Sequence, residues 1–351
     1  MKYQFLILLL IALSFFSCED DKEETLPEQF IFESFGLQGN IINDIVRQEN
    51  KLFALTDNGL YETSGTNNSN WQSLNLDNKE IIGFKILQNG DYIAVWNNPQ
   101  NQIPVSGISI SSDQGDSWQE IDNNFGGEQA EQFSSFYALD SNPNVMYAGG
   151  WGVLAKSIDG GKSWTPQWGD WGMLANGTDE IALNPTDTTE IWFGGQGSIE
   201  NGYLVKKSGN TTKEWDDLVA NPTVVKNITF DPTDPNNVFV GFEGALLKTN
   251  SGGNNWQTLI DSPDNRFFFG IEVPSKNIQK IYAGGWLKSF NDPQPLILFT
   301  SEDGGATWEE IEHEGEDFGG INSMLLVEGD SQDLLFLGLY KGGVYRVTIN
   351  K

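Results

Sequence analysis

Along most of the chain, apolar residues come in short runs of strand length, separated by turns rich in Asn, Asp, Pro and Gly. The order within each unit is constant. A first apolar strand such as Ile228-Thr229-Phe230 is followed by a polar turn, here Asp231-Pro-Thr-Asp-Pro-Asn-Asn237. A second strand ends in small residues, as in Val145–Gly150, Ile191–Gly195, Val238–Gly241 and Ile281–Gly285. A third strand enters another turn, and a Trp opens a fourth, as in Trp118-Gln-Glu-Ile121. Short strands at even spacing with turn chemistry between them predict an all-β fold built from four-stranded antiparallel units.

The marker Trp residues at 71, 118, 164, 215, 256 and 308 lie 47, 46, 51, 41 and 52 residues apart. That period matches one blade of a β-propeller. Six Trp-marked repeats run from Asn40 to about Ile311. A seventh begins near Gly319 with Ile321–Val327, Leu334–Gly338 and Gly343–Thr348, and the chain ends after its third strand. At the other end, Phe30–Leu37 belongs to no repeat. Closure by one terminus removes an exposed sheet edge, so Phe30–Leu37 is expected to supply the outer strand of a seventh blade. The expected fold is a seven-bladed β-propeller over residues 29–351.

Three segments share one pattern in register: Ser111, Asp113, Gly115 and Trp118; Ser157, Asp159, Gly161 and Trp164; and Ser301, Asp303, Gly305 and Trp308. The pattern S-x-D-x-G-x-[ST]-W resembles the Asp-box, or BNR repeat, of bacterial sialidases, sortilin-type receptors, xyloglucan hydrolases and the photosystem II assembly factor. Relics with Ser or Thr seven residues before Trp occur at Ser64, Ser208 and Thr249. The resemblance implies a turn between third and fourth strands, away from the active face. Asp and Ser side chains suit such a turn because they satisfy backbone donors, while Gly supplies positive φ. These twelve residues are therefore expected to be structural.

The N-terminus reads differently. Met1-Lys2 precedes an apolar stretch, Phe5 to Phe16, ending at Ser17-Cys18, as in a secretory signal too short to span a bilayer well. Phe15-Phe16-Ser17-Cys18 resembles a bacterial lipobox, though the usual Leu is missing. An ordinary signal peptide with an incidental Cys is the other reading. The acidic run Glu19–Glu24 resembles the surface-export signal of Bacteroidota lipoproteins. Residues 1–17 are expected to be a lipoprotein signal peptide, Cys18 the lipidated residue, and residues 18–28 a flexible tether. The implied location is the outer membrane, facing out of the cell.

Composition narrows the chemistry. The 49 Asp and Glu residues outnumber 20 Lys and Arg, giving a formal charge of −29. Long-range repulsion argues against nucleic acid and anionic polysaccharides as partners. One Cys and one His argue against a disulfide framework or a multi-Cys or His-based metal site, and neither metal nor cofactor is expected. A sialidase needs three converging Arg, and the chain has only Arg47, Arg266 and Arg346, at unrelated repeat positions. The Asp231–Asn237 stretch lacks the pattern of a calcium loop. His313, between Glu312 and Glu314, is expected to be a solvated loop residue. A two-carboxylate glycosidase remains open, because acids are abundant everywhere.

In a propeller, turns between second and third strands share one face with the blade crossings, around the channel mouth. On that face the sequence places Trp96, Trp151, Gln196, Glu243, Trp286 and Tyr340. The crossing from blade three to four adds Trp168, Asp170 and Trp171. The first strands add Asp179 and Glu180, with Asn43, Asp44, Lys226 and Asn227 nearby. Aromatic rings among acids and amides suit a neutral sugar, whose C–H faces stack while its hydroxyls hydrogen-bond. The expected function is a lipid-anchored, monomeric, non-catalytic binding module for an extracellular ligand, a neutral glycan first. A glycoside hydrolase other than a sialidase, or a protein-binding scaffold or assembly factor, are the alternatives. The last is weakened because the basic patch expected from the assembly factor is not visible.

Overall fold

The computed structural model describes residues 29–99, 105–128, 131–173, 177–198, 201–219 and 224–351. The signal segment, Cys18 and the acidic tether lie outside the described residues.

Among the described residues, twenty-eight strands form seven four-stranded antiparallel sheets. In six of them the four strands follow chain order. The first strands are Ile42–Gln48, Glu80–Ile86, Ser135–Ala138, Gly177–Leu183, Val225–Phe230, Phe267–Glu272 and Ile321–Val327. Each contacts the first strand of the next blade, and the last contacts the first, so the seven close a ring around a central channel. The fold is a seven-bladed β-propeller.

Apolar clusters fill the seams between neighbouring blades. Phe53, Leu55, Ile81, Phe84 and Tyr92 pack between blades one and two, and Trp192, Val225, Ile228 and Val240 between four and five. The small residues ending the second strands allow the next blade to come close. A Cβ on Gly241 would lie 2.1 Å from the Phe268 carbonyl oxygen, and one on Gly149 2.1 Å from that of Thr178.

The three S-x-D-x-G-x-[ST]-W segments form the turns between third and fourth strands, with one hydrogen-bond pattern. In blade three, Gly161 N–H donates to Ser157 Oγ at 2.9 Å and Ser163 N–H to Asp159 Oδ1 at 2.9 Å; Ser163 Oγ–H donates to Asp159 Oδ2. The same bonds recur around Asp113 and Asp303. These donors hold all three carboxyls down to a pKa of about 2. Gly115, Gly161 and Gly305 sit at φ near 90°, a conformation Gly adopts without strain.

The seventh sheet runs Phe30–Ser34, Gly343–Asn350, Gln332–Leu339, Ile321–Val327. Phe30 pairs with Ile349 and Ser34 with Tyr345, so the N-terminal strand is the outer strand. The two Phe residues of this strand and Phe35 just after it contribute unequally. Phe35 is 3% exposed, while Phe30 and Phe32 are only partly buried. Trp71 Nε1 of blade one donates to the Phe35 carbonyl at 2.7 Å, tying the closing segment to the neighbouring blade. His313 differs from expectation. It ends the outer strand Glu309–His313 of blade six and stacks on Phe32, with centroids 4.8 Å apart and planes 9° apart. Burial of an aromatic face on the closing strand favours this placement over a solvated loop.

Candidate functional site

The channel mouth is shaped by a repeated irregularity. Six of the seven first strands carry a register shift near their start: between Ile42 and Asp44, Ile81 and Gly83, Gly177 and Glu180, Val225 and Asn227, Phe268 and Gly270, and Ile321 and Ser323. An extra residue in one strand bends it and re-aims a side chain. The residues so placed include Asn43, Ile82, Asp179, Lys226, Phe269 and Asn322, and all six line a cavity of about 450 Å³. Three of these strands also lace the ring together. Asn43 Nδ2 donates to the Ile81 carbonyl at 3.2 Å, Asn227 Nδ2 to that of Phe269 at 3.3 Å, and Asn322 Nδ2 to that of Ile42 at 3.0 Å.

Carboxyls enter the channel from blades one, two, four and six. Burial raises the Asp44 pKa to about 6, against the pull of the Ile45 N–H. Burial raises Glu180 well above the usual range, and the Asp44 charge adds to it. Glu272 is pushed up to about 8, again by burial and then by Asp44, despite a hydrogen bond from the Leu326 N–H. Burial also raises Glu80 and Asp179, the latter against two lysines. These acids hold protons to higher pH because charging them in a desolvated, mutually repelling group is costly. Among the described residues, no three His, Cys, Asp or Glu are grouped so that they could hold a metal ion.

On the rim above blades four to seven, charged and aromatic groups meet. Lys226 Nζ lies 3.8 Å from Asp179 and 3.6 Å from Glu243, and Lys288 Nζ lies 4.0 Å from the same Glu243 oxygen. Both ammonium groups sit over the Phe267 ring, at 5.6 and 5.2 Å, and Lys226 also faces Phe269 at 5.5 Å. Phe269 leads to Trp286 at 6.0 Å; Trp286 stacks on Tyr340 at 4.4 Å, and Phe290 meets Trp286 edge-on at 5.4 Å. Phe290 is 52% exposed, so this aromatic shelf reaches the surface.

The residues expected at the site therefore divide. Asp179, Glu180, Glu243 and Tyr340 fall together at the mouth, with Trp286 buried against Tyr340 and Phe290. Trp96 does not: it lies within the second strand of blade two, 2% exposed, its Nε1 bonded to Ser109 Oγ at 2.9 Å and its ring under the Lys79 ammonium. Trp168 is not in a crossing loop but in the outer strand Thr165–Gly169, packed on Phe193 and Tyr203, its Nε1 donating to Glu214 Oε1 at 2.7 Å. Trp171 turns the other way, edge-on to Phe125 at 5.1 Å, so the two Trp rings do not form one platform. Asp170 is exposed and accepts the Trp171 N–H at 2.8 Å. Trp151 is half-buried in its turn, and Gln196 is held in the sheet between Gly177 and Gly202. The three Arg do not converge: Arg47 ends a first strand exposed, Arg266 is buried beside Asp264, and Arg346 meets Glu33 on the closing strand.

Phe269, Lys288, Phe290 and Glu272 went unmarked in the sequence. Phe269 and Glu272 lie in first strands, where the register shift hides which side chains face the channel. Lys288 and Phe290 follow the Gly-Gly-Trp ending of a second strand, the one signal that pointed to their loop.

No family model matches the chain. Over 96 residues it is 29% identical to a probable oligoxyloglucan-reducing end-specific xyloglucanase from Neosartorya fischeri, an overlap covering 25% of this chain and 11% of that protein. Among solved structures, the GH74 enzyme of Niastella koreensis matches with a TM-score of 0.64 at 17% identity, covering 90% of this chain and 53% of that one. YCF48 bound to D1 peptide matches with a TM-score of 0.62 at 15% identity, covering 92% and 97%. The likeness to both solved structures is one of fold. The chain spans about a tenth of the length of the xyloglucanase and about half that of the GH74 enzyme.

Proposed function

We propose that this propeller is a binding module for a neutral extracellular glycan, taken at the channel mouth and presented at the cell surface from a lipid anchor on Cys18. The observation that carries the reading is the aromatic shelf of Phe269, Trp286, Tyr340 and Phe290 beside a polar cavity. At the rim Lys226 and Lys288 face Asp179 and Glu243, while Asp44, Glu80 and Glu180 add acids deeper in the same cavity. An accessible ring face such as that of Tyr340, backed by the buried Trp286 and next to paired polar groups, suits a pyranose ring. The partial match to a xyloglucan-directed enzyme makes a xyloglucan heptasaccharide a sensible first probe. Titration by tryptophan fluorescence is expected to saturate, and Tyr340→Ala to weaken binding by about tenfold or more with an unchanged melting temperature. Failure of a broad panel of neutral oligosaccharides to bind overturns the reading.

A glycoside hydrolase is the second reading, favoured by one observation. Asp44 and Glu180 line the same cavity, and burial together with the Asp44 charge keeps Glu180 protonated to higher pH, a proton donor beside a second carboxyl. Release of reducing ends from xyloglucan, abolished by Glu180→Gln, would establish it. Binding without release leaves the module non-catalytic.

A further inference from the structure

Glu243 sits in the turn between the second and third strands of blade five. Its backbone is fixed from two sides: its N–H donates to the Val224 carbonyl at 3.2 Å, and it bridges to Phe267 of blade six. Gly244 N–H then donates to the Arg266 carbonyl at 2.8 Å. The side chain is 5% exposed, yet among the described residues Oε1 has no hydrogen-bond partner. Two ammonium groups stand near that oxygen at 3.6 and 4.0 Å, close enough to attract it and too far to donate to it. Contact with the Phe267 face helps hold both in place. A buried carboxylate oxygen that accepts no hydrogen bond between two donors is an unfinished arrangement, because buried acceptors are normally satisfied.

From this geometry we infer that Glu243, Lys226 and Lys288 form a subsite for a vicinal diol on a neutral sugar ring. The inference rests on the reading of the mouth as a glycan site and names the groups it recognises. A hydroxyl both donates and accepts. Once Lys288, 47% exposed, swings aside from an oxygen otherwise closed to solvent, one hydroxyl can donate to Glu243 Oε1 while its oxygen accepts from Lys226, and its neighbour can accept from Lys288. Phe269, 5.5 Å from Lys226, provides an apolar wall beside these groups. Charged ligands fit worse. A uronate or sulfate oxygen has no hydrogen for Glu243 and meets the charges of Glu243 and Asp179. An ammonium ligand has no lone pair for the lysines and meets two cations. Paired charges thus select a neutral polyol by making each kind of ion unfavourable.

The test is calorimetric titration near pH 7 with xyloglucan heptasaccharide, cellohexaose, mannohexaose and hexagalacturonate. At least one neutral oligosaccharide is expected to bind, with hexagalacturonate weaker by about tenfold or more. Lys288→Met, at a side chain 47% exposed, is expected to keep the wild-type melting temperature and weaken the neutral probe by about tenfold. Glu243→Gln, checked by its own melt, is expected to do likewise. If no neutral probe binds, the glycan reading and this subsite fall together. If a neutral probe binds and Tyr340→Ala weakens it, while Lys288→Met and Glu243→Gln leave it within about twofold, the glycan reading stands and the diol subsite is wrong. Tighter binding of hexagalacturonate than of every neutral probe also overturns it.

Discussion

Trp96 and Tyr340 show how differently two aromatic residues expected in equivalent turns are used. Trp96 is sealed in a seam between blades, with its indole N–H satisfied, and a Cβ on the facing Gly107 would come within 2.3 Å of its ring. Trp96→Ala is expected to cost about 3–5 kcal/mol, read from denaturant unfolding, with no direct effect on a ligand. Tyr340 is half-buried at the rim, and its removal should do the reverse. Both rings were visible in the sequence. What was not visible was the internal partner, Ser109 for Trp96 and Glu214 for Trp168, that turns a possible platform into packing. The turn acids were more legible, because their pattern is local. Asp159→Ala removes an acceptor used by Ser157, the Ser163 N–H and the Ser163 hydroxyl. It is expected to lower stability by about 1 kcal/mol, discounted for exposure, and to leave affinity at the mouth unchanged. At the far end of the chain, Cys18→Ser is expected to release the protein in soluble form. Its retention on membranes after a salt wash would remove the proposed anchor.

At the scale of elements, strand order, blade number and closure were readable because each repeat carries its own turn residues and a Trp at fixed spacing. The register shifts of the first strands were not, since alternation counts residues and a bulge inserts one. They decide the site, because Lys226 and Phe269 reach the mouth only through them. The closing strand lends itself to a direct test. Removing residues 29–39 would uncover the edge of Gly343–Asn350, expose the site filled by Phe35 and free Trp71 Nε1. The shortened protein is expected to aggregate or melt far below the full-length form, and Phe35→Ala alone to cost about 3–5 kcal/mol. Phe30→Ala and Phe32→Ala, at partly buried positions, should each cost less. Equal melting temperatures for shortened and full-length protein would contradict a structural role for the strand.

For the whole molecule, acids pull in two directions. The folded pKa of about 2 for Asp113, Asp159 and Asp303 lies below the unfolded value of about 4. Their contribution is full above about pH 4 and lost as pH falls toward 2. Asp44 and Glu272, at about 6 and 8, lie above the unfolded value. The folded state then binds more protons than the unfolded state between about pH 4 and 8, so stability falls as pH rises through that window. Melting temperature is expected to peak near pH 4–5 and decline toward pH 9. Glu272→Gln should raise it more at pH 9 than at pH 5, and parallel curves for mutant and wild type would count against the buried acid as the cause.

The direction of the closing strand has one further consequence. Phe30 pairs with Ile349, at the end of a strand that leaves the mouth through the Tyr340 turn, so residue 29 lies on the face opposite the mouth. An anchor on Cys18, as proposed, would therefore join the ring on the side away from Tyr340 and Phe290, and the tether would not have to cross the shelf to reach it.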